Sequence, residues 1–213
     1  MIKILFILSA VLISVSANAQ FKKGDILLGG NLGFSTSTSS DTATGNSVSV
    51  NVTVGKAINE STVFGVNLLY APFWSNYYFG YNGIALDSYL QNDFGVGVFF
   101  RKYKSLGKDF FLFGEAGANF GWTTQSGKDF NDVKVLTASG YSATVNVMPG
   151  FAYRVSKKFF LELSIQNLFY AQYSSSKTTI QSIDYNKNSG FSIGTSLSSG
   201  LLSDVGVGFR LVL

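Results

Sequence analysis

The chain has 213 residues and a formal net charge of +4, with no cysteine and no histidine; only 13% of it is charged, where soluble domains carry about 25%. That inventory excludes a disulfide framework, a thiolate or imidazole metal site, a lipid-modified N-terminal cysteine and Ser-His or Cys-His catalysis. No catalytic residue, metal or cofactor is therefore expected, and the chain reads as one domain rich in glycine (23 residues) and aromatics (15%).

Met1-Ile2-Lys3 is a short basic start before the apolar run from Ile4 to Val15, and Ala17-Asn18-Ala19 sets small residues where a signal peptidase cuts. A span needs about 20 apolar residues, so residues 1–19 read as a cleavable signal peptide and Gln20 as the first mature residue. Cleavage removes Lys3 alone, leaving a mature charge of +3.

The mature chain, residues 20–213, alternates. The first strand is expected from about Asp25 to Ser35, with Ile26, Leu28, Leu32 and Phe34 on one side and Asp25, Leu27, Gly29 and Asn31 on the other. Thr36 to Asn46 reads as a flexible Ser/Thr loop. In the second strand Val48, Val50, Val52 and Val54 alternate with Ser49, Asn51, Thr53 and Gly55. After a turn at Asn59-Glu60-Ser61, the third sets Phe64, Val66, Leu68 and Tyr70 against Gly65 and Asn67.

A long connection, Ala71 to Leu90, leads to the central hairpin, Phe94 to Trp122. Val96, Val98 and Phe100 oppose Gly97, Phe99 and Arg101; beyond the turn Lys104 to Asp109, Phe110, Leu112, Ala116, Ala118 and Phe120 oppose Phe111, Phe113, Glu115 and Asn119. Another long connection, Thr123 to Ser139, follows. The sixth strand runs to Val155, with a bulge expected at Pro149, which has no N–H for a ladder. Ser156-Lys157-Lys158 turns into the seventh, Phe159 to Gln166. A polar loop from about Gln172 to Asn188 precedes the last strand, whose Val205, Val207, Phe209 and Leu211 oppose Asp204, Gly206, Gly208 and Arg210.

Each of these strands has an apolar face, and the other face holds small and ionised residues. A soluble sandwich turns its charges outward; a membrane barrel does the reverse. Facing one arginine to mid-depth hydrocarbon costs about 2–4 kcal/mol, so the charges set the inside. The expected fold is all-β: an eight-stranded antiparallel up-and-down transmembrane β-barrel, with short turns near residues 59, 106 and 157 at the periplasmic end and longer loops outside.

Three groups of residues are candidates for a role. Asp25, Arg101, Glu115, Arg154, Glu162, Asp204 and Arg210 point into the lumen as a charge network. A register with Phe99 opposite Glu115 sets Arg101 diagonal to Glu115; Arg154 and Glu162 are likewise diagonal, and Asp25 and Arg210 lie on the strands that close the barrel. The plain reading is ion pairing that fills a narrow lumen; the sharper one is a proton or ion pathway. Phe73, Trp74, Tyr77, Tyr78, Phe79 and Tyr81 form an aromatic cluster, either a stacking platform for an extracellular partner or part of an interfacial girdle. Trp122, Tyr141, Phe169 and Tyr170 fit the girdle alone. Lys22, Lys23, Lys56, Lys102, Lys104, Lys108, Lys157 and Lys158 gather at the periplasmic end, where lysines snorkel to anionic headgroups; no nucleic-acid role fits. Asp129 and Asp132 are two carboxylates in one loop, a weak calcium signal. Gly95-Val96-Gly97 and Gly206-Val207-Gly208 precede no helix and are not dinucleotide loops.

On Ala17-Asn18-Ala19-Gln20, on Phe99-Phe100-Arg101-Lys102-Tyr103-Lys104 running into Phe110-Phe111-Leu112-Phe113-Gly114-Glu115, and on the closing Gly206 to Leu213, the chain resembles the small outer-membrane β-barrels of the OmpA/OmpX-like type, in the form common among Bacteroidota. The resemblance implies a monomer in the cell outer membrane, in contact with outer-membrane lipid and lipopolysaccharide and inserted by the barrel-assembly machinery. That machinery usually reads a terminal aromatic; here Leu213 is last and Phe209 lies upstream. The peptidoglycan-binding domain of full OmpA proteins is not expected.

The leading expectation is thus a structural or surface-interaction barrel whose extracellular loops meet an unknown ligand or partner. A narrow channel for ions or small solutes is the alternative. A soluble lipocalin-like ligand-binding barrel is the third, and it needs the inverse parity.

Overall fold

The computed structural model describes residues 21–39, 43–79, 85–181, 183–195 and 205–213. The expected signal peptide, Tyr81 and Asp204 lie outside the described residues. Among the described residues ten strands are present: β1 (Ile26–Ser39), β2 (Ala43–Asn59), β3 (Thr62–Phe79), β4 (Ala85–Ser105), β5 (Phe110–Lys128), β6 (Lys134–Ser156), β7 (Phe159–Ile165), β8 (Phe169–Ile180), β9 (Ile183–Gly194) and β10 (Val205–Val212).

All are antiparallel, and their pairings run in a closed circuit. Neighbours in sequence pair from β1 through β7; β7 pairs with β10, and β10 returns to β1 with Leu27 opposite Val212. Above that ring, β8 pairs with the upper half of β6, and β9 with β8. The short turns and the described chain ends share one end, the foot. There Leu213 N–H donates to the Ile26 carbonyl at 2.9 Å, and Val212 N–H to that of Lys158 at 2.8 Å.

The alternation decides which face lies inside. Outward apolar side chains on every strand of the ring are exposed, among them Leu68, Val98, Phe100, Phe120, Val145, Leu163 and Val207. Their inward neighbours Val63, Phe99, Phe113, Phe160 and Arg210 are buried. Two outward aromatic tiers bound the apolar wall. Tyr70, Phe94 and Trp122 stack across β3, β4 and β5 with centroids 4.9 and 5.5 Å apart; lower down, Phe110 meets Tyr153 at 4.8 Å.

Three sequence expectations are corrected. The connections expected at Ala71–Leu90, Thr123–Ser139 and Gln172–Asn188, and much of Thr36–Asn46, are strand: β1, β3, β4, β5 and β6 run on past the apolar wall, and β8 and β9 form a hairpin. Once a ladder is started, polar residues extend it, because each added pair satisfies backbone groups whatever the side chains are. The seventh strand is present as expected, as β7, and Gln166–Leu168, where Asn167 takes a left-handed φ of 51°, separates it from β8. No bulge lies at Pro149, which pairs in register with Gly114. The irregularity is on the neighbouring strand instead: β6 pairs with β7 from Gly150 downward and with β8 from Val147 upward, so the nitrogen without a hydrogen faces the break. Finally, Arg101 is directly opposite Glu115, and Phe99 opposite Gly117. The turn sets this register, with Leu106 N–H on the Phe110 carbonyl at 2.8 Å.

Candidate functional site

The inside of the ring is layered. At the foot, Phe21, Leu27, Ala57, Val63, Phe99, Tyr103, Phe111, Phe113, Ala152 and Phe160 form one buried apolar cluster. Phe21 comes from before the first strand. Its ring lies 5.1 Å from Tyr103, edge-on, and 5.9 Å from Phe160. Its N–H donates to the Glu60 carbonyl at 3.3 Å, so the segment ahead of β1 folds under the ring.

On that floor stands a four-member ion cluster. Arg101 Nε donates to Glu115 at 2.6 Å and Arg101 Nη1 to Glu162 at 2.7 Å; Arg210 Nε donates to Glu162 at 2.9 Å. Tyr103 Oη donates to Glu162 at 3.1 Å, and the Arg101 guanidinium lies 4.2 Å from the centre of the Phe113 ring. Two cations meet two carboxylates, so the group is neutral. Arg101, Arg210 and Glu162 are at most 8% exposed. Buried charges persist only when matched this closely, and removing one partner of such a pair costs about 3–5 kcal/mol.

Two other members of the expected charge network, Arg154 and Asp25, lie elsewhere. Arg154 turns away from Glu162 to the foot turn, where it reaches Asp109 at 3.2 Å and packs over Phe111. Asp25 precedes β1 and accepts the Lys22 N–H at 2.8 Å, a turn contact with no arginine in it. Asp204 is outside the described residues.

Above the ions runs a chain of amides. Asn67 donates to Asn119 at 3.0 Å, Asn119 to Asn146 at 3.2 Å, and Asn146 to Asn167 at 2.9 Å, from β3 to the break after β7. Gly97, on the intervening β4, makes this possible: a Cβ there would lie 2.1 Å from Asn119 Oδ1 and 2.5 Å from Asn67 Oδ1. Higher still, Tyr89 and Gln125 donate to Gln91, which donates to Asp93, and Thr123 donates to the same carboxylate. Leu86, Tyr89, Val135, Leu136 and Ile180, with Phe73, form a second apolar cluster near the top.

Of the aromatic cluster expected at a loop mouth, the side chains of Phe73 and Trp74 are described, and they do not share a face. Both lie on β3, whose alternation sends Phe73 inward against Tyr89, centroids 5.9 Å apart, and Trp74 outward. Tyr77, Tyr78 and Phe79 end β3, and their side chains are not among those described. Trp122, Tyr141 and Phe169 face outward, as a girdle requires. Tyr170 shares the inner face with Asn146, opposite Gly194.

Phe21, Tyr103 and the asparagine chain escaped the sequence reading. The asparagines carried a signal, since Asn67, Asn119 and Asn146 all fall on inward parities; nothing marks Phe21.

No family model and no curated protein matches the chain. Solved structures do. OprG of Pseudomonas aeruginosa, an outer membrane protein, is 15% identical with a TM-score of 0.50, covering 92% of this chain and 99% of its own. Its likeness establishes the fold. The chain is built as outer-membrane β-barrels are. Lesser likenesses are to Neisserial surface protein A (14% identity, TM-score 0.41, 89% of this chain and 96% of that one) and to a major outer membrane protein from Thermus thermophilus (14%, 0.43, 88% and 99%).

Proposed function

We propose that the chain is an integral outer-membrane β-barrel of eight strands, exported by residues 1–19, with a structural or surface-contact role and no catalysis. On this reading the OmpA/OmpX-like resemblance describes its type, and the polar walls above the upper aromatic tier stand outside the cell and make the contacts. Inverted polarity supports the membrane: the side chains that would face hydrocarbon are apolar on every strand of the ring, while the matched ions are inside.

The observation that carries the role is the floor. Phe21, Tyr103, Phe111, Phe113 and Phe160 under the Arg101–Glu162–Arg210 cluster fill the foot, where a channel needs a continuous path. Protein refolded into planar bilayers is expected to show heat-modifiable migration and no steady conductance. Sustained single-channel steps would overturn the structural role in favour of the channel, and recovery as a soluble periplasmic protein would overturn the barrel.

A further inference from the structure

The outer wall is not uniformly smooth: a furrow crosses it obliquely, with a volume near 730 Å³. Its floor is three alanines set among larger side chains. Ala118 lies between Val98 and Val145, Ala143 between Phe120 and Tyr173, and Ala171 between Val145 and Ile193. All of these share the outward parity.

The furrow climbs. Residues paired across neighbouring strands are not level, because the ring is staggered: Val66 is four residues from the start of β3, Ala118 eight from the start of β5, and Ala171 twelve from the start of β7. The lower end, at Val66 and Leu68, therefore sits deep in the apolar wall. The upper end, at Tyr173 and Phe191, opens at the outer rim.

Above that end are two cations. Lys177 and Lys187 are directly opposite each other on β8 and β9, on the same outward face and four residues beyond Tyr173 and Phe191, roughly 13 Å further along. Like charges in that position repel. Asp184 answers Lys177 at 2.7 Å; Lys187 has no ion pair among the described residues. An apolar trench leading up to an uncompensated positive charge is complementary to an amphiphile with an anionic head.

We propose that this furrow docks one acyl chain of a phosphorylated lipid of the outer leaflet, with its phosphate held by Lys187 and Lys177. The proposal rests on the membrane reading above. Its test is native mass spectrometry of the mature protein, refolded in detergent and offered lipid A or zwitterionic phosphatidylcholine. Wild type is expected to keep one lipid A per chain. Lys177→Gln with Lys187→Gln should lower that retention about tenfold and leave phosphatidylcholine unaffected. Ala118→Leu with Ala143→Leu, which fills the trench from outside, should lose both lipids while keeping heat-modifiable migration. Equal lipid A retention by all three proteins would overturn the proposal. So would a dimer that only the leucine variant loses, since the trench would then seat a second copy. Failure of every form to insert into lipid vesicles would instead overturn the membrane reading, and the proposal with it.

Discussion

The foot of the ring and the hairpin β8–β9 are made of the same element and held by opposite means. At the foot, side chains from strands far apart in sequence converge: Arg101 reaches Glu162 across 61 positions and Arg210 reaches it across 48, with aromatic rings packed beneath. Over most of the hairpin, side chains meet only those of adjoining strands, while Ile180 at its tip joins the upper apolar cluster with Leu86 and Tyr89. Lys177 pairs with Asp184, Thr179 donates to the same carboxylate at 3.2 Å, and most residues are exposed. Backbone ladders build a wall in either place, but only converging side chains close it. The foot is where the stability of the ring is expected to concentrate.

The sharpest way to break that contrast is Glu162→Ala, which strands two buried guanidinium groups. It is expected to lower unfolding stability in lipid vesicles by about 3–5 kcal/mol, read from urea-induced loss of heat-modifiable migration. Phe21→Ala comes next. Removing a buried ring from the floor should cost about 3 kcal/mol in the same assay, and conductance measured alongside tests whether the ring also blocks the path. Gly97→Ala forces a methyl against two asparagine oxygens and should cost about 1–3 kcal/mol, whereas Asn119→Ala, which only breaks the amide chain, should cost about 1–2 kcal/mol.

The smallest effect belongs to the hairpin. Hydrogen bonding to the Lys177 ammonium, helped by Thr179, holds the Asp184 carboxyl below the usual range. A depressed carboxyl stabilises the fold above its unfolded pKa, and the contribution fades as pH falls through the lower folded value. Amide exchange at the hairpin tip should therefore quicken only in that acid window, and Lys177→Gln should remove the pH dependence without touching the foot.

The same two regions mark what the sequence reveals. Inward parity for Arg101, Glu115, Glu162 and Arg210 follows from period-two alternation alone, since one face of each strand is plainly apolar. Strand length does not, because Thr123–Lys128 and Gln172–Ile180 carry no hydrophobic contrast once they leave the apolar wall. The partner of Glu162 was hidden for another reason. Alternation gives a face, while register and curvature decide which faces meet, and these bring Arg210 to Glu162 and send Arg154 to Asp109. Phe21 was beyond reach altogether, a lone aromatic ahead of the first strand.

The central claim is the inversion of polarity, and site-directed spin labelling along β2 tests it most directly. Single labels at 49 to 55, with the barrel in vesicles, are read for collision with oxygen, which concentrates in hydrocarbon, and with a polar nickel complex. Labels at Val50, Val52 and Val54 are expected to meet oxygen, and those at Ser49, Asn51 and Thr53 to be shielded from it. Collisions with nickel on the valines, and oxygen on the polar set, would contradict the account.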